Sequence, residues 1–234
     1  MIGEGDVALQ IEDVKLARSG FDLCADLTIH GPGLTAVIGP SGGGKSTFLA
    51  LVAGFLSPDS GDILWNGVPI TNDLPGKRPV ATLFQDNNLF PHLTVLTNVA
   101  LAISQTSKLS RVVRERVSQV LGRVGLEGFE DRMPAELSGG QQSRVALARV
   151  LLTQRPVVLM DEPFSALGPA QRRDMLSLVK EVLPEATVLM VTHDPEDARI
   201  AETTILVADG VVAKPQDTET LFRDPPEALK SYLA

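Results

Sequence analysis

The sequence predicts an α/β fold with a parallel sheet covered by helices, an antiparallel β corner and an inserted helical segment. Of the 234 residues 44% are apolar and 21% charged, which is typical of one large globular domain or of a domain with a subdomain inserted into it. Short apolar runs without polar alternation indicate strands buried on both faces, as in a parallel sheet. Stretches of helical periodicity separate several of these runs, which favours alternating strands and helices.

The strands and helices can be assigned from these patterns in order along the chain. The predicted strands cover residues 35–38, 157–160, 187–191 and 205–208. The predicted helices cover residues 45–53, 141–152 and 171–182. The dipeptide Asn66-Gly67 lies between two apolar-rich arms within residues 62–70, and this pattern predicts a β-hairpin.

Residues 87–136 differ from the rest of the chain because the strand signals fade there. Val113, Val117, Val120, Leu121 and Val124 fall at helical spacing, and arginines lie between them. We therefore expect a single domain whose catalytic core covers about residues 1–86 and 137–234, with a helical subdomain at about residues 87–136.

Charge and composition exclude several classes of function. Lys and Arg number 21 against 29 Asp and Glu, a net charge of −8, so the attraction to a phosphate backbone on which nucleic-acid binders depend is missing. Cys24 is the single cysteine and cannot form an internal disulfide. No apolar run approaches the roughly 20 residues of a membrane-spanning helix. We expect a cytosolic chain without a nucleic-acid partner, and any membrane role to be peripheral.

A phosphate-binding loop is predicted where the first of these strands meets its helix. The pattern G-x-x-x-x-G-K-S after a strand lets successive backbone N–H groups and a helix N-terminus face a polyphosphate. Lys45 would reach the β and γ oxygens, and Ser46 would hold Mg²⁺. The alternative is a glycine-rich turn with a surface lysine. The motif predicts a P-loop NTPase core, and we assign to nucleotide binding Gly39, Pro40, Ser41, Gly42, Gly43, Gly44, Lys45, Ser46 and Thr47.

Two adjacent acids follow the predicted strand 157–160, at the edge where a parallel sheet binds ligands. Asp161 is predicted to support the Mg²⁺ shell. Glu162, facing the other way along the pleat, is predicted to polarise a water aimed at the γ-phosphate. Acids that merely end a strand are common, so this assignment depends on the phosphate loop.

A second helix N-terminus suited to phosphate is predicted at a Leu-Ser-Gly-Gly-Gln sequence. Taken alone, Ser-Gly-Gly is better explained as an ordinary helix cap. The residues concerned are Ser138, Gly139, Gly140 and Gln141.

These motifs, together with Thr192-His193-Asp194, resemble in order and spacing the ATP-binding subunits of ATP-binding-cassette (ABC) transporters. The resemblance covers nearly the whole chain. It implies a head-to-tail homodimer with two ATP molecules between the protomers, in which the phosphate loop of one faces the Ser-Gly-Gly-Gln turn of the other. It also implies that Gln85 touches Mg²⁺ and senses the γ-phosphate, and that His193 contacts that phosphate.

The same resemblance implies partners and a location. An integral membrane permease would bind this subunit, and a periplasmic solute-binding protein would act with it indirectly. The subunit would then lie peripherally on the cytoplasmic face of the bacterial inner membrane.

Two positions depart from the family pattern. The segment where an adenine-stacking aromatic is usual contains Arg18 and Phe21 instead, and either residue is a candidate substitute. Gly168 stands where an aspartate usually couples the two ATP sites, so weaker coupling is expected.

Within the family, residues 78–80, 83–90 and 92–95 most resemble the ATP-binding subunits of thiamine importers, with Asn87-Asn88-Leu89-Phe90 the most particular stretch. Thiamine or its phosphates is therefore the expected cargo, and another small solute is the alternative. A soluble cassette ATPase outside transport is a less favoured reading because the chain is acidic and has a single cassette. A pseudo-ATPase is disfavoured by the intact Lys45, Gln85, Glu162 and His193.

Overall fold

The computed structural model describes residues 7–18, 20–104, 106 and 108–233 and contains both strands and helices. The strands are β1 Val7–Arg18, β2 Phe21–Gly31, β3 Gly33–Ile38, β4 Ser60–Trp65, β5 Val68–Pro69, β6 Val80–Leu83, β7 Val157–Asp161, β8 Thr187–Val191, β9 Thr203–Ala208, β10 Val211–Val212 and β11 Gln216–Asp217. The helices are α1 Lys45–Ala53, α2 Val95–Ala100, α3 Arg111–Arg123, α4 Gly139–Thr153, α5 Pro169–Val182, α6 Pro195–Ala198, α7 Thr218–Arg223 and α8 Glu227–Leu233.

The chain divides into two compact units. The first consists of Met1–Val80, Pro156–Asp161 and Glu185–Ala234. The second consists of Ala81–Arg155 and Glu162–Pro184. The chain therefore passes between the units several times, and one passage is the peptide bond that joins Asp161 to Glu162.

The first unit is built on a sheet whose central strands are parallel. β3 pairs in parallel with β8 and β9, and β7 pairs in parallel with β8. These are the four strands that the apolar runs predicted, so the predicted parallel sheet is confirmed. Further strands extend it on one side, in the order β5-β4-β1-β2-β10-β9-β3-β8-β7. Their pairings are antiparallel except for that of β10 with β2.

Burial on both faces explains why these strands lack polar alternation. Val37, Leu159 and Leu189 lie on three of the four parallel strands and are each 0% exposed. Full burial of such a side chain stabilises the fold by about 1.5–3 kcal/mol, so a row of them holds the carboxyl edge of the sheet firmly in place.

The predicted hairpin is present as β4 and β5. Trp65 pairs with Val68 across a two-residue turn. Asn66 and Gly67 both have positive φ, 50° and 77°, as the mirror-image type I′ turn requires. The antiparallel corner follows because this turn matches the twist of paired strands.

The second unit contains helices α2 to α5 within its two chain segments. α3 begins at Ser110, whose side chain accepts a hydrogen bond from the Val113 N–H. Val117 and Leu121 on α3 are buried, whereas Arg111 is exposed and pairs with Glu115. The helical periodicity is thus confirmed. The predicted helical subdomain, residues 87–136, lies within this unit, which also includes α4 and α5.

No helix among the described residues combines the length and the apolar character needed to cross a bilayer.

Candidate functional site

The loop between β3 and α1 contains two glycines, Gly39 and Gly43, at which a Cβ would collide with the backbone of β9. A Cβ on Gly39 would lie 1.9 Å from the Val207 carbonyl oxygen, and one on Gly43 would lie 2.8 Å from the same atom. Gly44 is the N-cap of α1 and has a left-handed backbone, with φ 109°. The loop therefore packs directly against β9 and leads into the N-terminus of α1, where backbone N–H groups are available to an anion.

Lys45 lies inside this loop. Its side chain is buried, and its Nζ donates to the carbonyls of Gly39 and Pro40 at 2.7 and 2.9 Å. The ammonium group is thereby held at the loop, away from bulk water. A positive charge in that position is suited to a polyphosphate.

Ser46 and Asp161 are brought together although 115 residues separate them. The Ser46 Oγ donates to the Asp161 Oδ1 at 3.3 Å. Mg²⁺ in nucleotide sites takes one or two protein oxygens and completes its shell with phosphate and water. A hydroxyl and a carboxylate beside a phosphate loop fit that requirement. No cluster of three or more His, Cys, Asp or Glu that could hold a metal occurs in the described part of the chain.

Glu162 differs from the sequence prediction in its backbone. The prediction treated it as the next residue of the pleated strand, but β7 ends at Asp161 and Glu162 has a left-handed φ of 46°. The chain turns there, and the Ser165 N–H donates to the Glu162 carbonyl at 3.3 Å. A left-handed glutamate costs free energy, and such conformations cluster at functional sites. The turn, and not strand alternation, decides where this carboxylate lies.

His193 follows β8 on a backbone that is anchored on both sides. The Thr192 N–H donates to the Val37 carbonyl at 3.2 Å, and the Thr192 hydroxyl donates to Asp197 at 3.3 Å. Asp194 caps α6 by accepting from the Glu196 N–H at 3.0 Å. The side chain of His193 is exposed between these anchors, at the carboxyl edge of the parallel sheet.

The Ser-Gly-Gly-Gln turn opens α4 with a capping box. Ser138 Oγ accepts from the Gln141 N–H at 3.3 Å, and Gln141 Oε1 accepts from the Ser138 N–H at 2.9 Å. Ser138 and Gln141 therefore act as an ordinary helix cap, as the alternative explanation of this sequence predicts. Beside the cap lies a small pocket of about 180 Å³ whose lining includes Gly140, Arg144 and Asp174, so the helix N-terminus also borders open space.

Gln85 lies just beyond β6 and is exposed. Its Nε2 donates to the Ser165 Oγ at 3.3 Å. Ser165 belongs to the turn that follows Glu162, so the predicted γ-phosphate sensor is bonded to the segment that carries the predicted base.

The two departures from the family pattern have distinct surroundings. A Cβ on Gly44 would lie 2.7 Å from the Phe21 ring, so this ring lies against the start of α1. Arg18 instead pairs with Asp59 at 3.5 Å. Gly168 is the N-cap of α5 with φ −66°, and no atom lies within 4 Å of a Cβ built on it.

The predicted site residues fall into both units. The first unit contains the phosphate loop with Thr47, and also Asp161 and His193, whereas the second contains Gln85, Glu162 and the Ser-Gly-Gly-Gln turn. Sequence reasoning missed Ser165, whose hydrogen bond to Gln85 spans 80 residues. No local pattern marks such a contact.

Comparison with known proteins gives concordant results. Residues 25–165 match the ABC transporter family. The chain is 54% identical over 228 residues to the thiamine import ATP-binding protein ThiQ of Cereibacter sphaeroides, covering 96% of this chain and 99% of the relative.

Solved structures agree in fold. The ATP-binding cassette MJ0796, a dimer in a post-hydrolysis state bound to ADP and phosphate, is 30% identical with a TM-score of 0.74, covering 90% of this chain and 98% of that one. The cbiO1 protein of Clostridium perfringens, part of the cbiONQ transporter complex, is 27% identical with a TM-score of 0.81, covering 97% of this chain and 95% of that one.

Proposed function

The chain belongs to the ABC transporter family, and we propose that it is the ATP-hydrolysing subunit that powers a bacterial importer of thiamine or its phosphates. The observation that carries the cargo is the 54% identity to a thiamine import ATP-binding protein over almost the full length of both chains. The hydroxyl-to-carboxylate contact of Ser46 and Asp161 beside the phosphate loop supports the reaction.

The phosphate loop holds ATP through its backbone N–H groups and the Lys45 ammonium. Ser46, Asp161 and Gln85 are the residues that would hold Mg²⁺, which neutralises charge on the β and γ oxygens when bound. Glu162 accepts a proton from the attacking water, and its left-handed backbone fixes the carboxylate. His193 contacts the γ-phosphate from its anchored position after β8.

Two copies of the chain act as a head-to-tail dimer. The N-terminus of α4 in one protomer, with Ser138 to Gln141, faces the ATP held by the loop of the other. The capping box supports this role because it orients the first turn of α4. The dimeric form of the cassette MJ0796 offers a precedent.

The subunit works with a membrane permease and, through it, with a periplasmic solute-binding protein. It lies peripherally on the cytoplasmic face of the inner membrane. Residues 87–136 act as a helical subdomain of a single nucleotide-binding domain and form the contact with the permease. Exposed apolar side chains in that segment, Phe90, Leu101 and Val112, support the assignment.

The first test is a comparison of native chain with Glu162→Gln. The variant should bind ATP normally, hydrolyse it about 10²–10⁴-fold more slowly and accumulate as an ATP-bound dimer. Steady-state ATPase assays and sedimentation with excess ATP measure both effects. A variant that hydrolyses ATP at the native rate would exclude Glu162 as the base. A variant that stays monomeric with excess ATP would exclude the head-to-tail dimer.

The cargo is tested in cells. Deletion of the gene should abolish uptake of labelled thiamine, and the native gene should restore it while a Lys45→Ala allele should not. If the deletion strain took up thiamine normally but lost uptake of another solute, the chain would be assigned to an importer of that solute. If the deletion impaired the uptake of no solute, a cassette ATPase outside transport would be favoured.

A further inference from the structure

Two consecutive asparagines in the second unit have left-handed backbones. Asn87 has φ 55° and Asn88 has φ 47°, and they directly follow Gln85 and Asp86. Asparagine tolerates this conformation better than most residues, yet two in succession still cost free energy. A segment of this kind persists only where its surroundings hold it.

Arg149 on α4 holds both asparagines. Its two terminal nitrogens donate to the Asn87 carbonyl at 2.7 Å and to the Asn88 carbonyl at 2.8 Å. Successive residues in a helical conformation point their carbonyls the same way, so the planar fork of one guanidinium reaches both. Burial of the guanidinium lowers the pKa of Arg149 from its ordinary value.

Asn87 contacts α4 at a second point. Its side-chain Nδ2 donates to the Ser143 Oγ at 3.4 Å, and that hydroxyl donates to the Gly139 carbonyl at 3.1 Å. Gly139 belongs to the Ser-Gly-Gly-Gln turn. The Asn87 Oδ1 is buried and has no hydrogen-bond partner among the described residues. The asparagine is therefore connected to the start of α4 at some cost in satisfied hydrogen bonds.

The other end of the segment is bonded to the turn after Glu162. Gln85 donates to Ser165 at 3.3 Å, and the Ser165 N–H donates to the Glu162 carbonyl. Residues 85–88, here named the latch segment, thus have hydrogen bonds to the turn that carries the proposed base and to two points on α4. All of these groups belong to the second unit.

We propose that Asn87 and Arg149 are positioning residues that couple the γ-phosphate sensor Gln85 to the Ser-Gly-Gly-Gln turn through the latch segment. The inference rests on the proposed ATPase function and assigns a role to residues outside its machinery. Left-handed asparagines and an unsatisfied amide oxygen raise the free energy of this arrangement, and Arg149 offsets it. Because the segment is bonded both to the turn after Glu162 and to α4, a shift at Gln85 is expected to reach α4.

A matched pair of glycine variants tests the side chain separately from the backbone. Asn87→Gly and Asn88→Gly both keep the left-handed conformation accessible and loosen the same segment. Only the first removes the contact to Ser143, because the Asn88 side chain is exposed. The kcat of Asn87→Gly should fall about fivefold, as expected for the loss of one hydrogen bond. The KM for MgATP and the Tm should match those of Asn88→Gly, whose kcat should stay within about twofold of native.

A second pair tests the guanidinium. Arg149→Lys keeps the positive charge but loses the planar fork, so kcat should fall about tenfold with KM little changed. Amide hydrogen exchange across the latch segment should become faster. The control is Arg123→Lys, because Arg123 donates from one nitrogen to the Val182 carbonyl at 2.7 Å, a contact that lysine can retain.

The outcomes separate the coupling from the function on which it rests. Equal kcat in the two asparagine variants would overturn the role of Asn87. If Arg149→Lys lowered the Tm and left kcat per folded molecule unchanged, Arg149 would stabilise the fold without acting as a positioning residue, and its proposed role would be overturned. A native chain without ATPase activity would instead contradict the proposed function itself.

Discussion

Lys45 has its ammonium group beside the carbonyls of Gly39 and Pro40, at 2.7 and 2.9 Å. These contacts follow from chain geometry, since the lysine begins α1 and its side chain folds back over the loop that precedes the helix. A buried ammonium has already given up most of its water, so an incoming phosphate meets a charge that needs little further desolvation. Charge-assisted hydrogen bonds of this type are about twice as strong as neutral ones.

Replacing Lys45 with alanine should weaken ATP binding roughly 100-fold or more, because a charged partner of the β and γ oxygens is lost. Equilibrium binding of a fluorescent ATP analogue measures the change. Lys77→Ala is the matched control, since it removes the same charge from an exposed position in the same unit. Unchanged affinity in Lys45→Ala would contradict the assignment of the phosphate loop.

At the scale of elements, α1 is held at both ends. The phosphate loop precedes its N-terminus, and Arg78 closes its C-terminus. One nitrogen of Arg78 donates to the Leu51 and Val52 carbonyls at 2.8 and 2.9 Å, which are among the last carbonyls of the helix and would otherwise lack partners. Burial lowers the pKa of Arg78, and the charge of Asp73 opposes this shift. The same arginine also donates to the Asp73 and Thr71 carbonyls.

Arg78→Met should therefore reduce the free energy of unfolding by about 3 kcal/mol, because several buried carbonyls lose their donor. Arg78 is only 1% exposed, so water does not readily replace it. Urea denaturation gives the value, and Arg114→Met, an exposed site on α3, should lose no more than about 0.5 kcal/mol. Equal losses at the two sites would mean that Arg78 contributes no more than a surface arginine does.

At the scale of the whole molecule, the proposed reaction requires residues from both units and from two copies of the chain. Asp161 ends one segment of the first unit and Glu162 begins a segment of the second. The proposed metal-supporting acid and the proposed base are thus consecutive in sequence but belong to different units. Under the proposed function, a change in nucleotide state would shift the populations of the protein's conformations, and a permease would respond to the shift.

In the proposed dimer, Gly168 bears on the coupling between the two ATP sites. With no carboxylate there, native hydrolysis should show a Hill coefficient nearer one than two, and Gly168→Asp should raise it. Coupling free energies of this kind are typically about 1–3 kcal/mol. The substitution should be tolerated, because φ is −66° and no atom lies within 4 Å of the new Cβ. As an N-cap of α5, the aspartate should also stabilise the chain by a few tenths of a kcal/mol.

The measurement is an ATPase titration of both forms assembled with the permease, so that the dimer is preformed. A strongly sigmoidal native response that the aspartate leaves unchanged would show that other interface residues carry the coupling.

Features that neighbouring residues encode can be predicted from the chain alone. Residues 45–53 were predicted as a helix and 187–191 as a strand, and α1 and β8 have those bounds. The Asn66-Gly67 turn also follows from local backbone preference. Periodicity, glycine content and turn chemistry act over a few residues, so they can be recognised without knowledge of the fold.

Contacts between distant segments depend on the packing of the whole fold. Ser46 meets Asp161 across 115 residues, and Gln85 meets Ser165 across 80. The left-handed backbone of Glu162 overrode the strand alternation that the sequence suggested. These outcomes depend on how the sheet and helices pack, because the free energy that selects them comes from burial and hydrogen bonding between elements and leaves no local pattern in the chain.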